Sequence, residues 1–333
     1  MKTFSPNDNI RYYIYWIKER QKIFWRRYRG ESPPYSVDSI MQEYKFTNVY
    51  RVLDRVSQYE LRNVIYNGTS YSREDMFWRI LLFKHFNSVE TWEFLTTRLG
   101  DITLATPIDS IIHYLTIKHT RGRPIYSNAY MLTASFMKNE RLMTRYGAAG
   151  ATQKHTAYMR LFQHELLDTG LYLKIINAPS FTEAFTLFRQ VITVGDFLAY
   201  QYVQDLNYSD IVRWDDNEFC AAGFGTIRGI ERTFDIEGTP DYGRIVQWTY
   251  ENFRYLIREY GVYGRFEGIP DHPPQVPDLS NCFCEVDKYL RMKGISTEGK
   301  QIKGKKMKAH FAPNNAPIEY MFPPKWGINV YKR

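Results

Sequence analysis

The chain has 333 residues, 44% of them apolar, and carries a formal net charge of +8. That length suits one large domain or two intimately packed ones, and the charge favours a polyanionic partner. No run approaches the roughly 18 uncharged apolar residues of a membrane helix, and Met1-Lys-Thr-Phe-Ser-Pro-Asn-Asp lacks a secretory core. Three cysteines (Cys220, Cys282, Cys284) cannot build a disulfide framework. Cys282 and Cys284 also lack a second pair for zinc, so a reducing cytoplasm is expected.

Residues 8–29 read as an amphipathic helix with Ile10, Ile14, Ile17 and Phe24 at helical spacing. Lys18, Arg20, Lys22, Arg26, Arg27 and Arg29 crowd it, and Glu31-Ser-Pro-Pro-Tyr ends it. Helical patterns resume from about 38 to 66. Within them, Phe46-Thr-Asn-Val-Tyr-Arg-Val-Leu-Asp-Arg55 taken as a helix puts Asn48, Arg51 and Arg55 on one stripe, which Gln58 and Arg62 continue. Val49, Val52, Leu53 and Val56 fall on the neighbouring face, and Asp54 is spaced to pair with Arg51. A stripe of forked donors suits phosphate. The plainer reading is a solvated helix face.

Ser72-Arg-Glu-Asp, Ser88-Val-Glu-Thr-Trp and Thr106-Pro-Ile-Asp each open a further helix. Ser180-Phe-Thr-Glu183 is a capping box leading into a helix to about Ile192. Val194-Gly195-Asp196 stops that helix and caps the next, which runs through Asp205. Phe219-Cys-Ala-Ala-Gly223-Phe-Gly225-Thr-Ile-Arg228-Gly229 then suggests a tight glycine turn between two helices. Such a turn lets a DNA backbone approach, offers N–H groups to a phosphate, and carries Arg228 one turn on. Gly-x-Gly alone means only a turn in most proteins.

Another helix is expected over about 242–260. Gly268 to Asn281, with Pro270, Pro273, Pro274 and Pro277, reads as an extended strap. Asn281-Cys-Phe-Cys-Glu285-Val-Asp287-Lys288-Tyr289-Leu-Arg291 follows as a short helix. There Glu285 and Lys288 are i,i+3 neighbours, able to take a proton and contact phosphate, or to form a simple surface ion pair. Lys300, Lys303, Lys305, Lys306 and Lys308 crowd the C-terminal stretch. The seven histidines form no ligand-spaced set, and neither a phosphate-binding P-loop nor a Rossmann glycine motif occurs. The expected fold is all-α, without an internal repeat.

The Phe46–Arg55 segment resembles the Phe-Thr-Asn-x-Tyr-Arg-x-x-Asp-Arg signature of a helical family of bacteriophage thymidine hypermodification. That family includes the helical domain of 5-hydroxymethyluracil DNA kinases and the stand-alone alpha-glutamyl/putrescinyl thymine pyrophosphorylases, or amino acid:DNA transferases. Asn281–Arg291 resembles the Asp-Lys-Tyr-ending motif of the same family. The Gly195-Asp-Phe-Leu-Ala helix with its following glycines resembles the core of helix-hairpin-helix DNA glycosylases, to which the family is distantly related. The resemblance implies three regions: a basic N-terminal helix over 1–35, a glycosylase-like helical core over 36–265 with its hairpin near 219–230, and a strap, short helix and basic segment over 266–333.

It also implies the reaction. An amino acid (glycine or serine) or a polyamine would displace pyrophosphate from 5-(pyrophosphoryloxymethyl)uracil in double-stranded DNA, in the host-cell cytoplasm. Asn48, Arg51, Asp54, Arg55, Glu285 and Lys288 become the catalytic candidates. Gln201, Asp205 and Asp287 become substrate-binding candidates, and Gly223, Gly225, Thr226, Arg228, Gly229, Lys303 and Lys305 the DNA contacts. No firm cofactor is implied, and Mg²⁺ is the ion that could join Arg51, Arg55 and Lys288 in stabilising the leaving pyrophosphate. Lacking an ATP-binding motif, the chain is not expected to be the kinase. No lysine near Thr226-Ile-Arg228 matches the nucleophile of bifunctional glycosylases, and only spacing recommends Asp235 or Asp241 for base excision. A glycosylase and a non-catalytic subunit that binds modified DNA are the rival expectations.

Overall fold

The computed structural model describes residues 4–128, 132–261, 265–295, 307, 309–312 and 319–328. Helix α1 (Ile10–Tyr28) forms where Ile10, Tyr13, Ile14, Trp16 and Ile17 recur on one face, all completely buried. The short α2 (Ser39–Glu43) is capped by the Asp38 carboxylate, which accepts the N–H groups of Ile40 and Met41. A single 3₁₀ turn (Arg51–Leu53) precedes α3 (Arg55–Glu60), which runs into a π-helical stretch, Leu61–Ile65. Ser72 caps α4 (Arg73–Phe86) and Ser88 caps α5 (Val89–Leu99). Next come α6 (Ile108–Thr120), α7 (Glu140–Arg145), α8 (Lys154–Phe162) and α9 (Leu171–Ile176). Ser180 caps α10 (Phe181–Phe188), and α11 (Asp196–Leu206) follows Gly195. The chain continues through α12 (Phe224–Thr233), α13 (Tyr242–Glu251), α14 (Phe253–Tyr260) and α15 (Val276–Lys293).

Strands β1 (Phe4–Pro6) and β2 (Phe234–Ile236) make one antiparallel ribbon, with Phe4 opposite Ile236. The fold is otherwise all-α among the described residues, and no described helix is long and apolar enough to cross a membrane.

The chain divides into two compact units, one of residues 1–54 with 216–333 and one of residues 55–215. Thus α1 and α15 share a unit and do not flank a central core. In that first unit α15 is the central element, with Leu279, Cys282, Phe283, Val286 and Leu290 fully buried. Tyr13 of α1 stacks on Phe283 with ring centroids 4.1 Å apart and donates its hydroxyl to the Leu279 carbonyl at 3.0 Å. Helix α12 lies so close that a Cβ on Gly229 would stand 2.0 Å from the Phe283 carbonyl oxygen, and one on Gly225 2.3 Å from Cys284 Sγ. In the second unit α4 is the core helix, buried without interruption from Met76 to Phe86. Its charged Arg79 is satisfied by the Val64 and Ile102 carbonyls, each at 3.1 Å.

Four elements depart from the sequence expectation. Residues 46–54 are not α-helical beyond the 3₁₀ turn at Arg51–Leu53; Asn48 N–H and Nδ2–H bond to Asp54 Oδ1 and the Leu53 carbonyl, and Asp54 is extended at φ −71° and ψ 147°. Such local side-chain bonds outcompete the helix. The glycines of 223–229 do not make a tight hairpin turn: Gly223 is an extended N-cap at φ −77° and ψ 166°, while Gly225 and Gly229 lie within α12. The strap ends earlier than expected, because Pro277 and a Gln275–Asp278 capping box start α15 at Val276. The helix expected over 242–260 is broken at Asn252 into α13 and α14.

Candidate active site

The Phe46–Asp54 loop is held by carboxylates of α15 and by one arginine of α1. Glu285 Oε2 accepts the Thr47 N–H at 3.3 Å, and Asp278 Oδ1 accepts the Arg51 N–H at 2.8 Å. Asn281 Nδ2 donates to Thr47 Oγ1 at 2.8 Å. From α1, Arg20 donates through Nε to the Thr47 carbonyl and through Nη2 to Asn48 Oδ1, both at 2.8 Å. The Asn48 amide thereby joins Arg20 to Asp54, with Nδ2 3.2 Å from Asp54 Oδ1. Backbone groups that an isolated loop would leave to water are satisfied by ionisable side chains.

The charges are dense and shielded. Loss of water raises the Asp54 carboxyl to about 6; the Asn48 N–H, Arg51 and Arg20 oppose the rise, and Glu285 adds to it. Asp278, 8% exposed, is pushed up to about 7, again chiefly by burial and against the N–H bonds from Arg51 and Gln275. Glu285 is 1% exposed and accepts from Lys288 on its other oxygen. Burial alone would depress the Lys288 ammonium, but Glu285 and Cys284 outweigh it and leave its pKa raised. The result is a carboxylate that titrates near neutrality, beside the buried Glu285 paired with a partly exposed Lys288 and two guanidiniums. Such a group can accept a proton while the cations stabilise an anion.

Five of the six catalytic candidates, Asn48, Arg51, Asp54, Glu285 and Lys288, therefore share one neighbourhood. Arg55 is solvent-exposed at the start of α3 and belongs to the other unit. The sequence reading also missed Arg20, Thr47, Asp278 and Asn281. Arg20 did leave a signal, since a charged residue occupies the apolar register of α1 between Ile17 and Phe24.

The expected DNA contacts are placed differently. Thr226 is 5% exposed and donates to the Ser280 carbonyl at 2.9 Å, so with Gly225 and Gly229 it serves the α12–α15 contact. Arg228, its side chain 54% exposed, donates through Nε to Asp287 Oδ2 at 3.1 Å. Asp287 is fully buried and also meets Arg232 at 2.8 Å and Arg291 at 3.3 Å, so its oxygens are already taken. Lys303 and Lys305 lie outside the described residues.

Gln201 and Asp205 are buried in α11 of the second unit. Asp205 pairs with Lys84 at 2.6 Å, and Gln201 donates to Gln204 at 3.2 Å. Beside them His85 contacts the Tyr202 hydroxyl at 3.1 Å, and burial, with Lys154 adding to it, lowers its pKa to about 3.

Among the described residues no three His, Cys, Asp or Glu side chains converge to hold a metal.

The family model described as 5-hmdU DNA kinase, helical domain, matches residues 7–299. A 5-hmdU DNA kinase of Bacillus phage SP10 is 25% identical over 347 aligned positions, covering 96% of this chain and 53% of the relative. The chain thus spans about half the length of that relative, and no solved structure matches it. Since the matched span contains the Phe46–Asp54 loop, Arg20 and the whole of α15, the chain belongs to the 5-hmdU DNA kinase helical-domain family of phage thymidine hypermodification.

Proposed function

We propose that the chain is an amino acid:DNA transferase. It acts on double-stranded DNA that carries 5-(pyrophosphoryloxymethyl)uracil and works in the host-cell cytoplasm on a glycosylase-related helical scaffold. The observation that carries the reading is Asp54, a carboxyl with a pKa of about 6 set among Asn48, Arg20, Arg51 and the Glu285–Lys288 pair. A protonated amine cannot attack, and Asp54 is matched to take its proton near neutral pH. The freed nitrogen forms a bond to the methylene carbon on C5. The C–O bond breaks with its electron pair leaving on the pyrophosphate, and the proton stays on the carboxylate. Arg51 and Lys288 supply positive charge for the leaving group. Asn48 is a positioning residue, because its amide is committed to Arg20, Leu53 and Asp54.

The test is incubation of the protein with DNA containing the pyrophosphorylated base and a mixture of amino acids and putrescine, followed by nucleoside mass spectrometry. A nucleoside carrying an amine adduct, with pyrophosphate released, is the expected product and names the donor. Free base or abasic sites would replace the reading with a glycosylase. The match of residues 7–299 to a kinase's helical domain favours one second reading, a module that binds the modified base for a catalytic partner. Tight binding of the substrate DNA without turnover would select it.

A further inference from the structure

Arg20 and Arg27 lie two turns apart on α1, and each carries a buried donor that no acceptor satisfies among the described residues. Arg20 is 8% exposed; its Nε and Nη2 are used by Thr47 and Asn48, but Nη1 is buried and unpartnered among the described residues. Arg27 Nε is likewise buried and unpartnered. Its neighbours differ: Arg26 pairs with Glu31 at 3.6 Å and Arg29 with Glu267 at 2.5 Å, while Arg27 has no acidic partner among the described residues. Tyr320 covers the same stretch of α1, with its ring 4.7 Å from Phe24 and 5.9 Å from Tyr28. The two guanidiniums also repel each other. Burial first, and then the charge of Arg27, lower the Arg20 pKa, against the pull of Asp54, Tyr320 and Glu285.

Burying a guanidinium N–H without an acceptor is costly, and placing two like charges together adds to the cost. An anion with several oxygens would remove both penalties at once, since forked guanidinium donors match phosphoryl oxygens. We propose that Arg20 Nη1 and Arg27 Nε, beside Tyr320, form a phosphoryl-binding pocket adjoining the Asn48–Asp54 loop. Its occupant in the reaction rests on the transferase reading, in which the leaving pyrophosphate sits there. A phosphate of the DNA backbone shares that chemistry.

Inorganic pyrophosphate titrated calorimetrically into the full chain tests the pocket, with Arg27→Gln as the variant and Arg26→Gln as the control. Thermal melts establish that all three proteins are folded. Loss of one charge-assisted bond should weaken pyrophosphate binding about tenfold in Arg27→Gln and less than about twofold in Arg26→Gln. Unmodified duplex DNA that fails to displace pyrophosphate marks the pocket as the leaving-group site, whereas displacement assigns it to a backbone phosphate. The proposal is overturned if the wild type does not bind millimolar pyrophosphate, or if Arg27→Gln binds it as tightly as the wild type. Absence of turnover in a protein that binds pyrophosphate would sink the transferase reading alone. Turnover with pyrophosphate affinity indifferent to Arg27 would sink the pocket alone.

Discussion

The Asn48 backbone N–H donates to Asp54 Oδ1 at 2.8 Å, and the Asn48 side-chain amide reaches the same oxygen at 3.2 Å. One asparagine therefore closes the loop onto its own carboxylate, while its Oδ1 accepts from Arg20. Asn48→Ala keeps the backbone bond but leaves Arg20 Nη2 without its acceptor. Stability measured by urea unfolding should fall by about 1–3 kcal/mol, the cost of an unsatisfied buried donor. Asn48→Asp should be worse than a simple isostere, because it places a second carboxylate beside Asp54. A change below about 0.5 kcal/mol for Asn48→Ala would mean that the Arg20 bond contributes little.

The raised Asp54 pKa makes a signed prediction about pH. Its ordinary value is 3.8 and its folded value about 6, so between them the folded chain holds a proton that the unfolded chain has released. The stabilisation from this group is complete below the unfolded value and is lost as pH rises through the folded one. The difference in unfolding free energy between the wild type and Asp54→Asn should therefore drift against the wild type from about pH 4 to pH 6 and then level off. Turnover should move oppositely, since a base works only when ionised. The kcat should climb through about pH 6 to a plateau, and a flat profile from about pH 5 to pH 7 would remove Asp54 as the base.

The closeness of α12 and α15 depends on Gly229 more than on Gly225. A methyl on Gly229 would stand 2.0 Å from the Phe283 carbonyl oxygen, which is backbone and cannot step aside. At Gly225 it would meet Cys284 Sγ at 2.3 Å, the end of a side chain that can rotate. Gly229→Ala should cost about 1–3 kcal/mol as the helices separate, and Gly225→Ala clearly less. Denaturant midpoints of the two variants decide it, and equal losses would refute the distinction.

These relationships were unevenly visible in the sequence. The caps at Ser72, Ser88 and Ser180 are local, and each helix begins where its serine says. The Phe46–Arg55 and Asn281–Arg291 motifs pointed to Asn48, Asp54, Glu285 and Lys288, which the fold brings together. Their conformation was hidden because the local Asn48–Asp54 bonds are completed from far away. The N–H groups of Thr47 and Arg51 are taken by Glu285 and Asp278, more than two hundred positions later in the chain. Helical periodicity in 46–55 could not report a competing acceptor at that distance. The glycines misled for a related reason. Gly225 and Gly229 are four apart, the spacing of one helix face, and only the presence of α15 shows that this face is a contact and not a turn.

Asp287 offers the sharpest division between scaffold and surface. It has no exposed area and receives Arg232, whose side chain is 4% exposed, together with Arg291 and the half-exposed Arg228. Removing the shared acid strands a buried guanidinium, so Asp287→Ala should cost about 3–5 kcal/mol. Arg228→Ala deletes an arm that water already reaches and should cost no more than about 1 kcal/mol. The same substitution separates roles, because a phosphate contact by Arg228 would reduce the salt dependence of DNA binding by about one unit of slope while the fold holds. Unfolding of both variants and salt titration of Arg228→Ala give the answer together. A loss below about 1 kcal/mol for Asp287→Ala would mean that the three arginines do not need this acid, and Asp287 would return to consideration as a substrate ligand.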